Sequence, residues 1–282
     1  MFLIICRIEE SISGVIVHAA RLAVRVAPDA WGCAIAAALA TRIRKLAPSE
    51  SQARAMSRAR RIAYGAGGRL AGWRWGEGPV VLLAHGWGGG AVQMAALAEH
   101  IAALGFQAVA IDLSGHGSSP GNRTRWEWLI RDVADASREL GPLHAAVGHS
   151  AGGLATMAAR GLHGLRASRY VCVCAPSHPF PPVRVIAQRL NPRPGVLSRY
   201  QDYLARQFRS DWRTLAGASS FAGAGEETLL VYDEKDRFVP HTEGDRLNEL
   251  NPGTRLVKTK DYGHTRILES PELARFVGDF LA

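Results

Sequence analysis

The chain has 282 residues, of which 47% are hydrophobic and 21% charged, an ordinary soluble composition with enough apolar material for one large α/β domain or two small ones. The net charge of +9 is unevenly placed: residues 1–70 carry 11 Lys and Arg against 4 Asp and Glu, and the remainder 23 against 21. The basic excess reads as a solvated N-terminal face, so no nucleic acid is expected as a partner, and no apolar run reaches the length of a membrane-spanning helix.

The start, MFLIICRIEES, lacks a basic leader and reaches Arg7, Glu9 and Glu10 before a long apolar stretch forms. It makes a poor signal peptide, and a cytoplasmic location is expected. From Ile12 to Val26, Ile12, Val15, Ile16, Ala19, Leu22, Ala23 and Val26 recur at three- and four-residue steps, which predicts a helix with one apolar face. Pro28 and Asp29 end it and open a second helix, expected from about Trp31 to Leu46. A third follows Pro48, capped by Ser49, and carries Arg54, Arg58 and Arg61 on its surface. These segments form an expected helical arm, residues 1–66, ahead of a main domain at 67–282. The arm should dock an apolar face on that domain, on a membrane surface as a peripheral contact, or on a second copy as a homodimer.

After Tyr64, GGRLAGWRWGEGP reads as a hairpin or edge strand, and PVVLLAHG as a short, continuously apolar, buried strand. Similar runs recur at FQAVAID, HAAVGHS, YVCVCA, TLLVYD and TRLVKTK. Helices are expected around Ala91–Leu104, Trp126–Leu140, Ala151–His163, Thr242–Leu250 and Pro271–Leu281. The alternation predicts an α/β fold with a mostly parallel, doubly wound sheet covered on both faces. The stretch 176–226, proline-rich and then helical, is too long for a simple connection and reads as a small helical cap over the carboxyl edge of the sheet. The cysteines, Cys6, Cys33, Cys172 and Cys174, show no metal spacing; the last two, at i and i+2, are expected on one face of a strand as buried thiols.

In AAVGHSAGGLA, residues 145–155, Ser150 stands between Gly148 and Gly152 where a strand would turn sharply into a helix. Small residues leave room for such a turn, whose serine would be exposed as a nucleophile. A serine hydroxyl needs a base, most often a histidine oriented by a carboxylate. His264, in a glycine-led loop after the last strand, is expected over the same sheet edge. Asp236 is preferred to Asp233 as its partner because it stands farther into its loop, before the turn at Pro240. Oxyanion donors are sought in the backbone amides of Ala151, at the start of the elbow helix, and of Trp87, in the glycine-rich turn after the first buried strand. His85 and His149 are expected to pack and hydrogen-bond locally, Asp112 and His116 to hold the DLSGHG loop, and Trp126, Trp128 and Trp212 to anchor the core or the cap. No histidine, cysteine or carboxylate cluster has metal-ligand spacing, and the glycines at 86–90 match neither a dinucleotide nor a P-loop fingerprint. No cofactor is expected.

HGWGGG at 85–90, DLSGHGSS at 112–119, GHSAGG at 148–153, DRFVP at 236–240 and GH at 263–264 together resemble the α/β-hydrolase superfamily, in the order Ser, Asp, His, over about residues 70–282. The HGWG turn is similar to the oxyanion loop of carboxylesterases and departs from the HGGG of the hormone-sensitive-lipase type. The resemblance implies a metal-free serine hydrolase working through an acyl-enzyme, with a small-molecule ester as substrate and short to medium acyl chains favoured by the modest cap. The superfamily also contains thioesterases, amidases, carbon-carbon bond hydrolases and cofactor-free haloperoxidases, and the fold alone does not choose among them. A dehalogenase would carry an aspartate where Ser150 stands. A non-catalytic binding protein of this fold is the reading from another class, and an intact Ser, Asp and His set counts against it. The helical arm has no counterpart in the family pattern.

Overall fold

Each short apolar run becomes a strand of one eight-stranded sheet in the computed structural model, which describes residues 14–45 and 47–282. Cys6, the opening MFLIICRIEES, the expected helix start at Ile12 and the expected helix end at Leu46 lie outside the described residues. The strands are β1 (Arg60–Tyr64), β2 (Leu70–Trp75), β3 (Val80–Ala84), β4 (Gln107–Ile111), β5 (Leu143–His149), β6 (Ala167–Val173), β7 (Thr228–Asp233) and β8 (Arg255–Thr259), in the order β1-β2-β4-β3-β5-β6-β7-β8. β1 pairs antiparallel with β2, and β2 with β4; the other neighbours are parallel, with Leu83 opposite Val147 and Val147 opposite Val171. The turns after β3, β5, β7 and β8 therefore meet at one edge, where the chain carries its glycine-rich motifs.

The strands are apolar without alternation because both faces are covered. Leu82 packs into the core on one side of the sheet, and its neighbours Val81 and Leu83 into the core on the other. Helices α5 (Trp126–Leu140) and α6 (Ala151–His163) supply Leu129, Val133, Leu154 and Ala158 to the first core. Helices α4 (Ala91–Ala103) and α12 (Pro271–Leu281) supply Met94, Leu97, Ile101 and Val277 to the second. Each such leucine or valine taken fully from water contributes roughly 1.5–3 kcal/mol of transfer free energy.

The N-terminal helices differ in part from the expectation. Helix α1 spans Gly14–Val26 and α2 spans Asp29–Ala40, six residues short of Leu46. The chain leaves the helix to pair with a loop: Thr124 N donates to Thr41 O (2.8 Å) and Ile43 N to Asn122 O (2.7 Å), about an Arg42–Arg123 bridge. Helix α3 (Glu50–Ser57) opens as expected on Ser49, whose hydroxyl accepts from Gln52 N while Gln52 reaches back to Ser49 N. It ends at Ser57, so Arg61 lies not on this helix but in β1, opposite Trp73. That strand escaped the sequence reading because it is a short edge strand whose inner face offers only Ile62 and Tyr64, with residues 60–61 and Ala63 exposed.

The cap comprises α7 (Phe180–Leu190), α8 (Pro194–Gln207) and α9 (Trp212–Ala216). The inner faces of α1 and α2 rest on it: Ala20, Val24 and Ala36 share a core with Val183, Ile186 and Tyr200. Gly32 marks the closest approach, since a Cβ there would stand 2.6 Å from Val196 Cγ2. Arg193 of the α7–α8 connection lies 2.8 Å from the Asp29 carboxylate. The outer face leaves Leu22, Val26 and Trp31 exposed. Among the described residues, no helix is long and apolar enough to cross a membrane.

Cys172 and Cys174 do not share a face. β6 ends at Val173 and Cys174 takes φ = 48°, so the alternation breaks, and the two buried thiols enter opposite cores.

Candidate active site

β5 hands over to α6 at Ser150 itself, with φ = 52° and ψ = −119°. A non-glycine residue in so sparsely populated a conformation costs on the order of 1–3 kcal/mol and persists only where its surroundings fix it. Here Ser150 N donates to Val173 O (2.8 Å), and Gly153 N to Ser150 O (3.0 Å). The flanking glycines are sterically required: a Cβ on Gly148 would stand 2.4 Å from Gly153 Cα, and one on Gly152 2.3 Å from Ala84 O. The sequence thus permits a turn that brings the elbow helix hard against β3.

His264 sits on the one-turn helix α11 (Gly263–Arg266) after β8. Its Nε2 is 2.9 Å from Ser150 Oγ, and its Nδ1 is 2.6 Å from Asp236 Oδ2. Because a carboxylate accepts, the Nδ1 proton points at Asp236 and the Nε2 lone pair is left for the serine hydroxyl. The other oxygen of Asp236 accepts from Phe238 N (2.7 Å) and Val239 N (2.9 Å). Burial pushes the Asp236 carboxyl up, but the hydrogen bond and charge of His264 and the two amides outweigh it and hold the group below the ordinary aspartate range. Asp233 does other work. It accepts from the Thr259 hydroxyl (2.6 Å) and from the amides of Lys235 (2.9 Å), Tyr262 (3.0 Å) and Gly263 (2.7 Å), tying together the two loops that carry Asp236 and His264.

The turn after β3 brings Trp87 to the cavity that Ser150 and Ala151 line. Neither amide is used in the bonds that close the surrounding turns, which run from Gly88 N to His116 Nε2 (3.0 Å) and from Gly89 N to Gly86 O (3.0 Å). Gly86 passes so close that a Cβ would lie 3.0 Å from Ser150 Cβ, and Gly88 takes φ = 73°. Three buried histidines frame the turns. His85 Nδ1 donates to Gly86 O (2.7 Å) while its Nε2 accepts from Leu113 N (3.1 Å). His116 Nδ1 donates to Ser114 O (3.0 Å), so its Nε2 accepts from Gly88. Desolvation lowers both pKa values, and each ring's one-donor, one-acceptor pattern requires the neutral form. His116 thus holds the HGWG turn as well as its own loop, a role its sequence position did not suggest. Asp112 holds its loop as expected, accepting from Ser118 N (2.6 Å), and also receives Ala91 N (2.6 Å) at the start of α4.

His149, at the variable position of the elbow, donates from Nε2 to the backbone carbonyl of His264 (2.8 Å). Burial, the largest influence, together with the neighbouring His264 lowers its pKa to about 3. Cys174, Asp236 and His264 also bring one ligand atom each within 4.8 Å of one another, a grouping no sequence spacing revealed. Burial, followed by the charge of Asp236, raises the Cys174 thiol well above its usual range, away from the thiolate a metal requires.

Ser150 opens into a cavity of about 100 Å³. Trp87, Ala151, Pro176 and Phe238 line it, and Pro181, Pro182, Val185, Ile186, Arg189 and Leu190 of α7 line it from the cap. Trp126 lines it too, packed between Trp87 and Phe208 at ring-centroid distances of 5.4 Å. It is therefore both a core anchor, as expected, and part of the pocket wall. Trp128 and Trp212 are half-buried away from the cavity, under Arg125 and against His178. Arm residues Val17, Leu39 and Ala40 complete the lining, a contribution the sequence did not signal.

The chain is similar in fold to an esterase from Pyrococcus furiosus (TM-score 0.62, 18% identity, 86% of this chain and 97% of the other). It is likewise similar to a thermophilic esterase from Thermogutta terrifontis (0.57, 19%, 79% and 97%) and to a monoacylglycerol lipase from Paleococcus ferrophilus (0.55, 23%, 75% and 98%). Comparison with curated proteins gives no significant match. The sequence profile of the alpha/beta hydrolase family matches residues 80–275, from the first residue of β3 into the last helix, and with the sheet order and the elbow described above the chain belongs to that family.

Proposed function

We propose that the protein is a serine carboxylic ester hydrolase acting through an acyl-enzyme, with Ser150 as nucleophile, His264 as general base and then acid, Asp236 as the group that orients the imidazole, and the amides of Trp87 and Ala151 as the oxyanion donors. The observation that carries this reading is the chain Ser150 Oγ···Nε2 His264 Nδ1···Oδ2 Asp236, at 2.9 and 2.6 Å, opening onto an apolar cavity.

Ser150 Oγ attacks the ester carbonyl as its proton passes to His264 Nε2, and the carbonyl π pair moves onto oxygen, facing the two amides. Collapse of that intermediate expels the alcohol, which takes the proton from Nε2 and leaves an acyl-serine. Water, deprotonated by the same nitrogen, repeats the attack and releases the carboxylic acid. Asp236, kept ionised by His264 and its two amide partners, stabilises the imidazolium formed in each half. The cavity favours short acyl groups: an apolar cavity of roughly 150 Å³ accommodates benzene, and this one measures about 100 Å³. Specificity constants should peak near four acyl carbons and decline beyond about eight, each methylene gaining up to roughly 0.8 kcal/mol only while there is room to bury it.

The test is fluorophosphonate labelling of the full chain, with peptide mapping, and a panel of nitrophenyl esters, thioesters and anilides. Label on Ser150 and preferential turnover of esters are expected. A thioester preference would move the assignment to a thioesterase, and no labelling would remove the acyl-enzyme mechanism.

A further inference from the structure

We propose that the N-terminal helices are part of the substrate pocket, with Val17 of α1 and Leu39 and Ala40 of α2 forming the wall that limits acyl-chain length. The proposal rests on the hydrolase reading above and extends it to a segment that lies ahead of the family's matched region, residues 80–275. These three side chains line the same cavity as Ser150, facing it together with the roof residues of α7. None carries a hydrogen-bonding group, so the part of the substrate they meet is aliphatic.

A wall can select only if it is held, and α2 is held at both ends. At its start, Asp29 pairs with Arg193 at 2.8 Å, and Gly32 sits so close to Val196 of α8 that only a glycine fits without displacement. At its end, Thr41 O accepts from Thr124 N (2.8 Å) and Ile43 N donates to Asn122 O (2.7 Å), immediately after Leu39 and Ala40. Helix α1 is joined to the cap by Arg21 Nε, which donates to Arg189 O at 2.5 Å, and by Val24, which has no exposed surface. The arm and cap thus form one roof, and the hydrolase core without its arm would have a pocket open on one side.

The experiment is a nitrophenyl ester series from two to ten acyl carbons, run on the full-length wild type, Leu39→Ala and Ala40→Leu, with fluorophosphonate labelling rate and melting temperature measured on each. Leu39→Ala removes three carbons from the wall. It should raise kcat/KM for esters two to three carbons beyond the wild-type optimum relative to the acetate ester, by up to about fourfold per added methylene. Ala40→Leu should shift the optimum the other way, lowering the ratio of long-chain to acetate kcat/KM. A chain-length profile unchanged in both folded variants would overturn the proposal, as would a uniform loss across all lengths that tracks a lower melting temperature, since that is a structural role only. A wild type that neither labels nor hydrolyses any ester would remove the hydrolase premise and this inference with it, an outcome distinct from a labelled enzyme whose profile does not move.

Discussion

The carboxyl edge of the sheet and the helical roof above it are built on different physics. At the edge, the polar groups of the candidate site are fixed by short hydrogen bonds and by glycines that let backbones touch: Gly152 against Ala84 O, Asp236 on two amides, His85 and His116 on the HGWG turn. The roof is held mainly by apolar packing between α1, α2, α7 and α8, with a few ties such as Asp29–Arg193. Such packing tolerates hydrophobic exchange, whereas a hydrogen-bonded turn does not. Changes at the edge should therefore abolish rate, and changes in the roof should redirect it.

The largest expected effect is at the base. His264→Ala should lower ester turnover by about three orders of magnitude or more while the protein stays folded, because among the described residues it is His264 Nε2 that meets Ser150 Oγ. Steady-state rates with a soluble nitrophenyl ester, alongside circular dichroism, check this.

The two acids separate next. Asp236→Asn should cost about two to four orders of magnitude in kcat, since an amide can present its NH₂ to Nδ1 and reverse the tautomer. Asp233→Asn should cost far less rate but more stability, because its carboxylate collects four donors that join two loops. Rates and melting curves on the pair decide; a larger rate loss at Asp233 would reassign the orienting acid.

In the roof, Gly32→Val should destabilise by about 1–3 kcal/mol through overpacking against Val196, with turnover of the acetate ester retained below the transition. Chemical denaturation at constant m-value measures it. Equal stability would mean that α2 and α8 part easily, and that the two regions differ less than their contacts imply.

The last expected effect is in pH dependence. The folded-state pKa of His149, about 3, lies below its unfolded value near 6.5, so its neutral form stabilises the fold above pH 6.5 and that stability is lost progressively as pH falls toward 3. His149→Gln keeps a donor for the His264 carbonyl and should flatten the fall in melting temperature over that range. The difference between the two proteins isolates this residue from His85 and His116, which titrate in the same sense.

The edge was legible in the sequence because its requirements are local. A glycine either side of Ser150, a glycine before His264 and a proline turn after Asp236 each follow from one backbone constraint, and strand–helix alternation placed them at a common edge. The limits lay elsewhere: the inner face of β1 holds only Ile62 and Tyr64, too few to set a period, α2 stops where Thr41 meets a loop 83 residues away in sequence, and Cys174 turns aside because of its own φ. In the roof, the sequence placed a helical cap over this edge but not the arm residues that join it at the pocket. Val17, Leu39 and Ala40 look like any residues of an apolar helical face, and only packing of α1 and α2 on the cap turns them toward the cavity. His116 escaped for the same reason, since its bond to Gly88 spans 28 residues.

The central claim, that Ser150 is an activated nucleophile in this cavity, is tested most directly by fluorophosphonate labelling of the wild type and of Ser150→Ala, with the modified peptide identified by mass spectrometry. A single adduct on Ser150 in the wild type, with labelling and ester turnover both lost in Ser150→Ala, is the predicted result. Label at another serine with turnover retained in Ser150→Ala would contradict it.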